Sequence, residues 1–204
     1  SYWNFFFIPL YIFLLSSIRK GNRYVLFHNV VSHEDRIFEK FFLKYFLNRI
    51  DHCIVMNDYN KRLIRKMNPR VNIIKNLHPI YDIPQSNDPN NLHKKNLEIE
   101  GKKTILFFGL IRKYKGLDLL IKAVALSKDK VENLKVLVVG ESYESFKPYY
   151  QMIEQLGIGD HFIFINSFVN KDDIEKYFLS SDLVVLPYKS ASQSGVLSLA
   201  YNFN

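Results

Sequence analysis

Seven short runs rich in β-branched and aromatic residues punctuate the chain, at 23–29, 52–57, 71–76, 103–109, 134–140, 161–166 and 182–188. Each has the length of a strand, and the apolar character is nearly continuous, as in strands covered on both faces. Helical periodicity fills most of the gaps. The stretch 34–50 places Ile37, Phe41, Phe42, Tyr45 and Phe46 on one broad apolar face. The stretches 117–127 and 171–181 behave likewise, with Asp172 and Asp173 early in the latter, where a helix dipole favours negative charge. Strands alternating with helices imply βαβ units and parallel sheets. The expected fold class is α/β, with two Rossmann-like parallel-sheet domains.

One stretch breaks the rhythm. Residues 78–96 are rich in Pro, Asn and Asp and read as a linker or long loop. The expected organisation is a first domain over 1–85, a linker over 86–100 and a second domain over 101–204. The first run of residues, 2–18, is nearly free of charge and is followed by Arg19 and Lys20. It is at the short limit for a bilayer span, which takes roughly 20 apolar residues. No basic segment precedes it, unlike a signal peptide. It reads as a buried or membrane-surface helix, with Pro9 expected to kink it. The chain begins without Met and stops at 197–204 inside a helical pattern. It therefore reads as an internal piece of a longer protein with both domains truncated.

Charge adds one fact. The net charge is +8, and residues 1–85 carry 13 Lys and Arg against 6 Asp and Glu, a balance of +7. A basic first domain suits an anionic partner such as a membrane surface, and equally a solvated basic face. Cys53 is the single cysteine, so no disulfide forms within the chain; this fits a reducing, cytoplasmic compartment.

In open parallel sheets, ligands bind outside the carboxyl ends of the strands. After the run 103–109 stand Gly109, Arg112, Lys115 and Gly116. Glycine admits close backbone approach, Arg offers a planar fork to phosphate oxygens and Lys a point charge. The loop has the composition of a diphosphate clasp, although an ordinary βα turn with solvated cations has the same letters. Gly140 closes the run 134–140 in the same way. After Pro187 come Ser192, Gln193, Ser194, Gly195 and Val196 at the start of a helix, whose free N–H groups attract anions; a simple Ser cap is the plainer reading. His28 closes the run 23–29, where a histidine serves as donor or base, or as a structural residue. His33–Glu34 reads as a helix-start feature. No metal-ligand spacing, P-loop, dinucleotide fingerprint or nucleophile elbow occurs.

In this order, residues 107–123, 135–141 and 181–196 resemble the donor-nucleotide domain of GT-B glycosyltransferases, in particular the retaining family four, glycosyltransferase group one. Residues 28–35, 52–57 and 76–82 resemble the second half of that family's acceptor-side domain. The resemblance covers nearly the whole chain. It implies a nucleoside-diphosphate sugar as donor substrate, no further cofactor and no metal, with Arg112 and Lys115 on the donor diphosphate and Gly109, Gly140 and 192–196 around it. His28 matches a cleft histidine near the sugar.

Two glutamates with seven residues between them usually accompany the late loop in that family. Neither stands here: the first place falls within 191–193 and the second on Leu199 or Ala200. In the family the second holds the ribose.

The resemblance thus implies sugar transfer to an acceptor in polysaccharide or glycolipid assembly, with a lipid-linked or a soluble acceptor. The lost glutamates favour an alternative, a non-catalytic nucleotide- or anion-binding module. A nucleic-acid binder is the third class; no groove-reading motif supports it, and the aromatics follow core periodicity.

Overall fold

The structure, a computed structural model, describes residues 7–18, 21–28, 30, 39–77, 83, 92–191 and 194–203. The chain divides near residues 79 and 80 into two compact units.

The first unit holds α1 (Ile8–Ser17), β1 (Tyr24–Phe27), α2 (Glu39–Leu47), β2 (His52–Val55), α3 (Asp58–Met67) and β3 (Asn72–Lys75). The strands form a parallel sheet in the order β1-β2-β3, with Phe27 opposite Val55 and Val55 opposite Lys75. Phe27, Cys53 and Val55 pack in one core with Leu43, Phe46 and Leu47 of α2, Ile8 of α1 and Ile64 of α3. Asn57 caps α3, its side chain accepting from the Asn60 amide at 2.7 Å.

Two expectations change here. Phe46 is buried and Phe42 half-buried as expected, but Phe41 and Tyr45 are 70% and 45% exposed, and the buried stripe of α2 continues through Leu43 and Leu47. The helix is apolar almost all round, so periodicity offers two stripes and packing selects one. Tyr45 accepts a hydrogen bond from Arg49 Nη2 at 2.7 Å. Ile37 lies outside the described residues. Pro9 does not kink α1: it sits in the first turn, where its missing N–H has no intrahelical partner to lose. Ile8 is buried, while Leu10, Tyr11, Phe13 and Leu14 are exposed. Among the described residues no helix is long and apolar enough to cross a membrane.

The second unit continues with α4 (Leu92–Asn96), β4 (Lys103–Phe108), α5 (Leu117–Ser127), β5 (Leu134–Val139), α6 (Lys147–Gln155), β6 (Phe162–Ile165), α7 (Ile174–Leu179), β7 (Leu183–Val184) and α8 (Gly195–Asn202). Within the stretch read as loop or linker, residues 92–96 are helical and Ile99 is buried. Lys94 Nζ anchors this helix on Asp182 at 2.9 Å, a partner 88 positions away that no local pattern shows.

The sheet is parallel, in the order β6-β5-β4-β7. Alternate strand residues face opposite layers. Phe107, Val136 and Val138 join Leu117, Leu120 and Ile121 of α5 and Ile153 of α6. Leu106, Phe108, Leu137 and Val139 join Tyr177 and Phe178 of α7 and Val196 and Leu199 of α8. The chain leaves β4 toward β5 and returns through α7 to β7 on the other side of β4. The strand order therefore reverses between β4 and β7, the kind of switch point past whose carboxyl ends open parallel sheets bind ligands.

Candidate functional site

The loops that follow β4 and β7 meet past the carboxyl ends of these strands. Arg112 is extended and starts a short 3-10 turn over Lys113–Lys115, which closes with Lys115 N–H donating to the Arg112 carbonyl at 2.9 Å. Gly116 follows with φ 75°, a left-handed conformation that turns the chain into α5. A Cβ on Gly116 would stand 2.0 Å from the Pro187 carbonyl oxygen, so the two loops pass in direct backbone contact. They are fastened at Lys189, whose N–H donates to the Tyr114 carbonyl at 2.8 Å and whose ammonium reaches Asp118 at 2.7 Å.

The turn folds the Lys115 side chain back over the end of β4. A Cβ on Gly109 would meet Lys115 Nζ at 3.1 Å and Val196 Cγ2 at 3.4 Å. The ammonium and the first turn of α8 therefore flank one point. Lys115 is only 7% exposed. Among the described residues no carboxylate pairs with it. Its neighbour is the Tyr188 ring, whose centre lies 5.8 Å from Nζ. Burial without a counter-charge pulls the amine down from the usual lysine value to about 8. An unpaired buried cation is costly, and an anion brought to it is correspondingly favoured.

The second loop presents the start of α8. Ser194 is the N-cap residue, extended at φ −133° and ψ 117°, yet its side chain caps no amide of the first turn. Its Oγ lies 3.2 Å from the Tyr188 hydroxyl. The first N–H groups of a helix have no partner within it, so this end is an electropositive cluster of donors beside Lys115.

Of the residues singled out in the sequence, Gly109, Lys115, Ser194, Gly195 and Val196 come together. Arg112 is half-buried and adjoins Lys115 through the backbone. Gly140 acts one layer back: a Cβ there would stand 2.3 Å from the Gly109 carbonyl oxygen, so its role is to let the ends of β4 and β5 close up. Ser192 and Gln193 lie outside the described residues. His28 is exposed at the carboxyl end of β1 in the first unit, where its carbonyl accepts from Asn60 Nδ2 at 3.4 Å. Sequence reasoning passed over Tyr188, because it stood inside a run read as strand. The ladder ends at Val184, and Pro187–Tyr188 already belong to the loop.

With this geometry in view, the comparisons are consistent. Residues 88–197, more than half of the chain, match the family described as glycosyl transferases group 1, and the chain belongs to that family. An uncharacterized glycosyltransferase of Methanocaldococcus jannaschii is 32% identical over 89 residues, which are 43% of this chain and 22% of that protein. Sucrose-phosphate synthase of Thermosynechococcus elongatus superposes with a TM-score of 0.74 at 15% identity, over 94% of this chain and 50% of the other. HepE of Anabaena, solved with UDP, superposes at 0.65 with 16% identity, over 82% of this chain and 47% of the other. The fold is that of GT-B glycosyltransferases, and the chain spans about half the length of those two structures.

Proposed function

We propose that this chain belongs to an enzyme that transfers a sugar from a nucleoside-diphosphate sugar to an acceptor, and that the donor diphosphate binds past the carboxyl ends of β4 and β7. The observation that carries this reading is Lys115: a buried ammonium without a carboxylate partner among the described residues, beside an uncapped helix start, at the switch point of a parallel sheet. Family membership and the UDP and UDP-glucose complexes of HepE support it.

The chemistry follows from charge. As the anomeric C–O bond breaks, its electron pair stays on the leaving diphosphate. Fixed donors that meet that growing charge stabilise the transition state more than the ground state. Lys115, the start of α8 and Arg112 supply such donors. In this reading no metal ion is needed, and the transfer keeps the retaining stereochemistry of family four. His28 serves the sugar or acceptor hydroxyls.

The acceptor is proposed to be lipid-linked, in polysaccharide or glycolipid assembly. The +7 balance of residues 1–85 and the exposed Leu10, Tyr11, Phe13 and Leu14 of α1 support a peripheral contact with an anionic membrane.

A second reading, a binding module without turnover, is favoured by the absence of both glutamates. One experiment separates them. The chain, and a longer parent protein that contains it, are titrated with UDP, GDP and ADP, alongside Arg112→Ala and Lys115→Ala, and donor hydrolysis is followed. Binding that both variants lose, with hydrolysis by the longer protein, supports the transferase. Binding without hydrolysis supports the module. No binding of any nucleotide overturns both.

A further inference from the structure

We infer that Tyr188 is a positioning residue that keeps the amino end of α8 open by holding the Ser194 side chain away from it. The inference rests on the diphosphate reading above and assigns a residue to it that the sequence pattern did not mark.

Ser194 has what a helix cap requires. It is a serine, one of the preferred cap residues, and its backbone lies in the extended region that cap residues adopt. In that conformation a serine Oγ ordinarily accepts from the second or third amide of the helix. Here it does not. Its Oγ is instead 3.2 Å from the Tyr188 hydroxyl. The contrast with Asn57 is direct, since that residue has similar extended geometry and does cap α3.

Tyr188 is itself fixed from three sides. Its ring meets Tyr114 edge-on at 6.0 Å and lies 5.8 Å from Lys115 Nζ. The next residue is bonded to the Tyr114 carbonyl and to Asp118. The hydroxyl is thus delivered to Ser194 by a braced ring. A capped helix start would spend on Ser194 an amide that an anion could use. Lys115, more than nine-tenths buried and unpaired among the described residues, points to such an anion independently of the helix. Tyr188 therefore serves both halves of the site: its ring lines Lys115, and its hydroxyl withholds the cap.

The test compares Tyr188→Phe with the double variant Tyr188→Phe/Ser194→Ala, using calorimetric titration with UDP and thermal melting of the free chain. Phe keeps the ring packing and removes only the hydroxyl. Ser194 is then released to cap α8. The expected result is UDP affinity weakened about tenfold, the scale of one hydrogen bond to a charged group. The melting temperature is not lowered. The double variant, which has no hydroxyl left to form a cap, regains most of the affinity. Unchanged affinity in Tyr188→Phe overturns the inference, as does a loss that Ser194→Ala fails to rescue, or a melting temperature that falls with it. If the wild-type chain binds no UDP, GDP or ADP, the diphosphate site itself fails, and this role with it.

Discussion

Gly116 lies so close under the carbonyl of Pro187 that a Cβ at position 116 would stand 2.0 Å from that oxygen. Through this contact the loop after β4 and the loop after β7 become one structure, and Lys115 comes to rest near the start of α8.

Gly116→Ala tests the contact. The substitution adds a steric clash to a left-handed φ of 75°. It is expected to destabilise the second unit by about 2 kcal/mol or more, on the scale of strained non-glycine backbone and lost close packing. Urea unfolding reads this as a lower midpoint, with nucleotide affinity reduced in parallel. A midpoint equal to wild type would mean that the two loops do not depend on this approach.

Lys115→Met separates stability from binding. The buried ammonium is unfavourable in the free protein, as its amine, drawn down to about 8 by burial, records. A methionine of similar length removes the charge and keeps the volume. The free chain is expected to gain about 1–3 kcal/mol, since each tenfold change in a protonation equilibrium is worth roughly 1.4 kcal/mol. Nucleotide binding falls by about 100-fold, on the scale of preorganised electrostatic groups. A less stable variant with intact binding would show that the lysine is a packing residue.

The same lysine sets a pH dependence. Its amine titrates near 8 when folded and near 10.5 when unfolded, so between these values the unfolded chain holds more protons. The cost of the buried charge is fully present below pH 8 and is relieved as pH rises toward 10.5. Stability therefore carries a rising contribution across that window, and Lys115→Met flattens it. Anion binding does the reverse, because a bound diphosphate draws the proton back. Titration with UDP at about pH 9, in two buffers of different ionisation enthalpy, should show net proton uptake approaching one. No uptake would place the diphosphate away from Lys115.

Asp51 governs the acid side of the first unit. Hydrogen bonds from the Arg23 side chain, and then from its backbone, hold this carboxyl well below the usual range. A carboxyl lowered by folding contributes stability above its unfolded value, about 4, and loses it as pH falls. Asp51→Asn is expected to flatten the acid limb of the stability curve. An unchanged acid limb would show that the pair contributes nothing to folding.

Much of this was legible beforehand, for physical reasons. All seven β-rich runs contain strands; β4 and β5 are buried on both faces, as continuous apolar sequence implies, whereas Tyr24 and Leu26 of β1 and Ile74 of β3 are exposed, so the expectation of two covered faces fails for the first sheet. That ligands bind past the carboxyl ends of parallel strands pointed to the loops after the runs 103–109 and 182–188; that β4 and β7 are neighbours is a matter of strand order, which only the structure shows. The misreadings share a cause. Which stripe of α2 is buried, why residues 92–96 are helical and what the Tyr188 hydroxyl holds are all decided by partners outside the local pattern. Lys94 and Asp182 are far apart along the chain, as are Leu47 and Asn68, whose carbonyl and side-chain amide meet at 3.0 Å. Nor does any local pattern tell a serine that caps a helix from one that is held away from it.

The most direct measurement is a crystal structure of the chain with UDP. The account predicts the β-phosphate within hydrogen-bonding distance, about 3 Å, of both Lys115 Nζ and the amides of Gly195 or Val196. Ordered nucleotide elsewhere on the second unit, with Lys115 still enclosed by Gly109 and Tyr188, would contradict it.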